Sequence, residues 1–311
     1  MKTKPLHRWT PVVESIWMSQ CVDKPVFLKM ECGQRTGSFK IRGIGRLCQE
    51  WVAQGKTHLV SSSGGNAGYS VAYAGRQMGI DVTVFVPTTT NEIFIKFIQS
   101  QGANVVIQGS FWDEADEAAQ VYVKEIDGGF VPPFDHPSIW AGHSTLVDEL
   151  VDQTEKPGGI VVSVGGGGLA TGILQGLHRH GWDDVPLFGV EVEGAPKLYE
   201  SIKQNKLIKL SQVNTIATTL ATTRITEELF KWTKKHAITP LLASDKASVK
   251  ACRQFVDDQH VLVEPACGAA LSVVYNNVPE LKKADSILVI VCGGVGISID
   301  LLNGYLKRFS I

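Results

Sequence analysis

The sequence predicts an α/β protein built as two open, twisted, mostly parallel-sheet domains. Three observations predict it: continuous apolar runs of strand length, helix-period segments between them, and loops rich in Gly, Ser and Asn where strands end. A strand that is apolar throughout is covered on both faces, and helical crossovers supply that cover.

The elements follow in order. The runs "VFLKM" (26–30), "THLVSSS" (57–63), "DVTVFVP" (81–87) and "NVVIQG" (104–109) have the length and β-branched content of strands. Between them, "KIRGIGRLCQEWVAQG" (40–55), "NAGYSVAYAGRQMG" (66–79) and "NEIFIKFIQSQG" (91–102) repeat apolar residues at three- and four-residue steps. In the first of these Ile41, Ile44, Leu47 and Trp51 share a face. Three later runs, "GIVVSV" (159–164), "PLFGVEV" (186–192) and "SILVIVC" (286–292), continue the alternation. No internal repeat or low-complexity tract interrupts it. The proline cluster "FVPPFDHP" (130–137) marks the expected crossing between domains.

Composition narrows the function. Thirty Lys and Arg oppose 31 Asp and Glu, which leaves no field to attract nucleic acid or an anionic membrane. No run reaches the roughly 18 apolar residues that span a bilayer. The opening "MKTKPLHRWTPVVES" lacks the apolar core of a secretion signal, so the expected compartment is the cytoplasm. Six cysteines are scattered without a CxxC pair, which argues against a zinc site and against a disulfide framework.

In open α/β sheets ligands bind beyond the carboxyl ends of strands, and three such ends carry candidate chemistry. "SSSGGNAG" (61–68) opens a helix whose N–H groups and dipole favour an anion, with Asn66 expected both to cap the helix and to reach a ligand. A plain capped turn explains this stretch equally well. "VVSVGGGGLATG" (161–172) has four consecutive glycines, costly in chain entropy unless backbone must approach a ligand closely, and a phosphate on Gly165–Gly168 is the candidate. Gly165, Gly167 and Ala170 also match the dinucleotide fingerprint, with Glu191 or Glu193 placed to hold a ribose. "SILVIVCGGVG" (286–296) sets Cys292 at a strand end, either packed or against a ligand ring. In "VLVEPACGAAL" (261–271), Glu264 and Pro265 read as a helix start.

Lys40 lies between Phe39 and Ile41, where burying a charged amine costs free energy. An amine in apolar surroundings loses proton affinity, and a neutral lysine is a nucleophile that forms Schiff bases with aldehydes. A lysine that snorkels to solvent is the competing reading. Amine and phosphate loop together point to pyridoxal 5'-phosphate.

The stretches "TGSFKIRG", "SSSGGNAG", "VPPFDHPSIWAGH", "SVGGGGLATG", "FVDDQHVLVEPACGAAL" and "VIVCGG" span nearly the whole chain. In them the sequence resembles the fold-type II pyridoxal-phosphate enzymes, of tryptophan synthase β-like architecture, and among these the short L-serine/L-threonine dehydratases. The resemblance implies a larger cofactor domain of residues 1–44 and 139–311, a smaller domain of residues 45–138, and a homodimer. It implies that Lys40 carries the cofactor and is the catalytic base, and that Phe39 lies against the cofactor ring. Gly165, Gly166, Gly167 and Gly168 hold its phosphate, Asn66 bonds the ring hydroxyl, and Cys292 approaches the ring nitrogen. Ser63, Gly64, Asn66 and Ala67 receive the carboxylate of an amino-acid substrate. A monovalent cation, K+, is implied at Glu191 with carbonyls of Gly165, Ala195, Leu220 and Thr222.

Two positions depart from the pattern. Gly64 stands where many members carry Ala, so a looser carboxylate loop and modest activity are expected. Lys197 stands where a small hydroxyl residue is expected near the cation, and its ammonium could replace or repel the metal. The chain ends soon after "VCGG", which leaves no expected regulatory domain. The rival readings are a serine racemase, whose "SSGNHG"-like loop is absent, a nicotinamide-type oxidoreductase, which leaves Lys40 unexplained, and a catalytically weak cofactor-binding relative.

Overall fold

The computed structural model describes residues 4–311. Its strands are β1 (Val12–Glu14), β2 (Val26–Lys29), β3 (His58–Ser61), β4 (Asp81–Val86), β5 (Asn104–Ile107), β6 (Gly129–Phe130), β7 (Ile160–Ser163), β8 (Leu187–Val192), β9 (Ile238–Ala243) and β10 (Ile287–Ile290). The chain divides into two compact units. One comprises residues up to Arg8 with Gln34–His143, the other Trp9–Gly33 with Ser144–Ile311. The proline cluster 130–137 therefore lies inside the first unit.

The first unit holds a four-stranded sheet of order β5-β4-β3-β6, parallel throughout. Its strands are joined by helices, Asn66–Met78 leading from β3 to β4 and Glu92–Ser100 from β4 to β5. Val60 and Phe85 pack with Ala115, Ala119 and Val123 of the helix Trp112–Glu125. Small residues on that helix let it lie close to the pleated surface. The helix Lys40–Ala53 buries Ile41, Ile44 and Leu47, as its spacing predicts.

The second unit holds a six-stranded sheet of order β1-β2-β10-β7-β8-β9. All its pairs are parallel except the edge pair β1–β2. β7, β8 and β10 are buried along their whole lengths, which is why their sequences do not alternate. Each ends in a glycine-containing segment: 165–168 after β7, Gly194 after β8, and 293–294 after β10. The candidate residues Gly165–Gly168 and Cys292 lie on two of those ends. Among the described residues, no helix is long and apolar enough to cross a membrane.

Candidate active site

The first unit carries the Lys40 amine and the turn that opens the helix Asn66–Met78. Lys40 is the first residue of its helix, with Phe39 at the N-cap position in helical geometry and no side chain capping the end. The Lys40 side chain is half-buried, its Nζ donates to the Pro133 carbonyl at 2.6 Å, and it lies 5.3 Å from the centre of the Phe39 ring. Two residues before Pro133 the chain is held to β3: Val131 N donates to Val60 O at 2.8 Å and Ser61 Oγ donates to Val131 O at 2.9 Å. The end of β3 thus fixes both the wall beside Lys40 and the start of the loop 62–65.

The Phe39 ring rests edge-on against His143, with ring centres 4.9 Å apart. His143 is fully buried, and neither ring nitrogen has a hydrogen-bond partner among the described residues. Burial drives its proton affinity far below the ordinary histidine value, and the charges of Lys40, Arg42 and His7 add to the effect. The imidazole is therefore neutral. Ser38 Oγ, two residues before Lys40, is also buried without a hydrogen-bond partner among the described residues.

The loop after β3 corrects one expectation. Gly65, not Asn66, is the N-cap of the helix Asn66–Met78, and no side chain caps it. Asn66 is the first helical residue and 6% exposed. Ala67 is buried, Ser63 and Gly64 are half-buried, and Gly65 N donates to Ser63 Oγ at 3.4 Å. The N–H groups of this helix start face an end of positive dipole, which suits a carboxylate.

The second unit supplies the glycine turn. After β7 the chain runs through Val164 to Gly165–Gly168, and Gly168 opens the helix Gly168–Arg179. Gly167 sits at φ +96° and ψ −1°, and a Cβ there would meet Leu229 Cδ2 at 2.5 Å, so only glycine fits. The neighbouring segment 217–226 clamps the turn: Thr226 N donates to Gly166 O at 2.9 Å, and Thr219 O lies 3.0 Å from where a Cβ on Gly165 would stand. In the first turn of the helix Thr171 Oγ1 is buried with no hydrogen-bond partner among the described residues. A phosphate needs such a backbone-lined turn at a helix start, so these residues fit that group.

Cys292, 6% exposed, follows β10 and shares a hydrogen bond with the free Cys267 thiol, whose proton affinity burial raises well above the ordinary value. Glu264 does begin the helix Pro265–Tyr275, with Pro265 at its first position. Its carboxylate does more than the sequence indicates. It accepts Thr219 Oγ1 at 2.5 Å and Gly296 N at 3.4 Å, and a Cβ on Gly294 would fall 2.0 Å from its Cδ. Glu264 therefore ties the turn after β10 to the segment that clamps the glycine turn.

Glu191 is not placed to hold a ribose. It is fully buried, accepts Leu198 N and Tyr199 N at 2.9 Å each, and pairs with Lys197 Nζ at 3.1 Å. That removes one of the two acidic residues on which the dinucleotide reading relied, and the other, Glu193, is exposed. Lys197 Nζ also donates to Ala195 O at 3.0 Å, Leu220 O at 3.1 Å and Val164 O at 3.4 Å. Burial pushes the Glu191 carboxyl up and the Lys197 ammonium down, each opposed by the other's charge. Thr222 Oγ1 is buried without a hydrogen-bond partner among the described residues. Among the described residues, no three His, Cys, Asp or Glu side chains gather as metal ligands.

Comparison with known proteins agrees with this chemistry. A family model described as pyridoxal-phosphate dependent enzyme matches residues 3–293. The L-serine dehydratase/L-threonine deaminase of Bos taurus is 43% identical over 100% of this chain and 98% of its own. The crystal structure of a fungal L-serine ammonia-lyase from Rhizomucor miehei superposes with a TM-score of 0.93 at 35% identity, covering 98% of this chain and all of that one. Maize serine racemase shares the fold, with a TM-score of 0.89 at 23% identity over 98% of this chain and 93% of its own.

Proposed function

The chain belongs to the pyridoxal-phosphate dependent enzymes, and from that premise we propose that it is an ammonia-lyase acting on L-serine and L-threonine. The products are pyruvate or 2-oxobutyrate, with ammonia. One observation carries the reading: an amine held on a carbonyl at a helix start, in a chain that also carries a glycine-only turn for a phosphate. The similarity to the bovine dehydratase over the full chain supports the choice of reaction.

Lys40 is the attachment point of the cofactor, and Gly165–Gly168 receive its phosphate. When bound, pyridoxal phosphate supplies the electron sink for a carbanion at the substrate's α-carbon. Ser63, Gly64, Asn66 and Ala67 orient the substrate carboxylate on the helix start they form. Lys40 Nζ takes the α-proton, and the Pro133 carbonyl, 2.6 Å away, orients it. The neutral His143 beneath Phe39 adds no charge to compete with that amine. Loss of the β-hydroxyl as water leaves an enamine that hydrolyses to the oxo acid and ammonia. Cys292 faces the ring nitrogen in this reading. A thiol holds that nitrogen protonated less firmly than a carboxylate does, which favours elimination over transamination.

The racemase reading has less support. The maize enzyme's likeness at 23% identity carries the fold alone, and Ala67, not His, follows Asn66. We further propose a cytosolic homodimer. Six free cysteines suit a reducing compartment, and the exposed Ile16 and Trp17 offer apolar surface to a second copy. Release of pyruvate from L-serine and of 2-oxobutyrate from L-threonine, followed with a coupled reductase, tests the activity. Cofactor bound without turnover of either amino acid would instead mark the protein as a silent relative.

A further inference from the structure

The Lys197 ammonium occupies a cage of four oxygens: the carbonyls of Val164, Ala195 and Leu220 and the carboxylate of Glu191, at 3.0 to 3.4 Å. Both charged side chains are fully buried. Carbonyl dipoles that converge on one point repel one another unless a positive charge sits among them. Three N–H donors set among four acceptors match an ammonium. A neutral amine offers two donors and would turn its lone pair toward an oxygen.

The cage is built into the clamp of the glycine turn. Val164 directly precedes Gly165, Leu220 follows Thr219, whose carbonyl abuts Gly165, and the same segment runs on to Thr226, which bonds Gly166. The family resemblance implies K+ at Glu191, Ala195 and Leu220, but those oxygens already hold an ammonium here. A second unit charge at contact distance would be repelled strongly in so buried a place. The residues present do not fit an alkali metal.

We propose that Lys197 is a tethered cation. Its ammonium supplies from within the chain the positive charge that a free monovalent ion would otherwise bring, so the phosphate-binding turn is held without a metal. Lys197 is a positioning residue and touches no reacting atom. Its effect on cofactor binding rests on the pyridoxal-phosphate reading, while the cage itself does not.

The test compares wild type, Lys197→Ala and Lys197→Met in potassium chloride, ammonium chloride and choline chloride. Cofactor affinity, turnover and the thermal midpoint of the cofactor-free protein are read in each salt. Wild type is expected to be the same in all three. In choline, Lys197→Ala is expected to bind the cofactor about tenfold or more weakly, the scale of losing a charged hydrogen-bond partner, and K+ or NH4+ to restore it. Lys197→Met fills the cage without charge and is expected to gain nothing from either ion. The cofactor-free midpoint of Lys197→Ala is expected to rise in potassium over choline. That readout stands even if the protein proves not to bind pyridoxal phosphate. Strong activation or stabilisation of wild type by potassium overturns the proposal. So does a Lys197→Ala protein indifferent to the cation, or one that fails to fold in every salt.

Discussion

Thr90 stands where a methyl group on residue 64 would have to go: an ideal Cβ on Gly64 lies 2.7 Å from Thr90 Cγ2 and 3.1 Å from Val86 Cγ1. The space left by the missing side chain is already filled. This reverses the expectation that an alanine at 64 would tighten the carboxylate loop and speed the reaction. Gly64→Ala alone should push Thr90 or the loop aside and lower kcat/KM for L-serine by about tenfold, since small misplacements near substrate are costly. The double variant Gly64→Ala/Thr90→Ala should recover most of the loss. Steady-state kinetics of the four proteins decide it, and a faster Gly64→Ala single variant would refute the packing argument.

Gly167→Ala should release the cofactor. The backbone there lies at φ +96°, where an L side chain is strained by about 1–3 kcal/mol, and the new methyl would overlap Leu229. A titration with pyridoxal phosphate followed by absorbance should show weakened binding while the fold survives. Unchanged affinity would mean that the turn does not hold the phosphate.

A buried ion pair in the second unit governs stability. Lys29 Nζ lies 2.6 Å from Glu149 Oε2, and it donates to Thr10 O at 2.8 Å and Gln153 Oε1 at 2.7 Å. Removing one partner strands the other charge out of water, so Glu149→Leu should cost about 3–5 kcal/mol in urea unfolding. Lys29→Met/Glu149→Leu, which removes both charges, should cost less than the single change. A double variant weaker than the single one would show that the pair itself, and not the stranded charge, sets the cost.

His143 should make stability fall on acidification. Its proton affinity is lowered in the folded protein, so at mildly acidic pH the unfolded chain binds a proton that the folded chain refuses. Stability from this residue is complete above the unfolded value of about 6.5 and is lost as pH drops below it toward the folded value, by up to about 1.4 kcal/mol per pH unit. His136 and His236 are lowered as well, again chiefly by burial, and act in the same direction. Denaturation at several pH values between neutrality and pH 5 should give a shallower slope for His143→Leu than for wild type. Equal slopes would mean that His143 takes up its proton without leaving the folded state.

The parallel strands were readable because burial on both faces removes polar alternation, as in β7 and β10. The edges were not. β1 and β6 have three and two residues, too short for a period. β9 carries Pro240, which reads as a break and is tolerated because the strand lies at the sheet edge.

In the candidate site, Lys40 and the glycine turn were legible because each puts a costly residue type where a structural role alone explains it poorly. The Pro133 contact, the Thr90 packing and the Glu264 bonds were not legible, since they join residues far apart in the chain. The cage around Lys197 was least so. Three of its four oxygens are backbone carbonyls, which every residue type offers alike.

The most direct measurement is borohydride reduction of the protein loaded with pyridoxal phosphate, followed by peptide mapping of the adduct. A single modified peptide carrying the pyridoxyl group on Lys40 is expected, together with no adduct and no turnover in Lys40→Ala. Modification at Lys197, Lys29 or another lysine, with Lys40 untouched, would contradict the assignment on which the proposed chemistry stands.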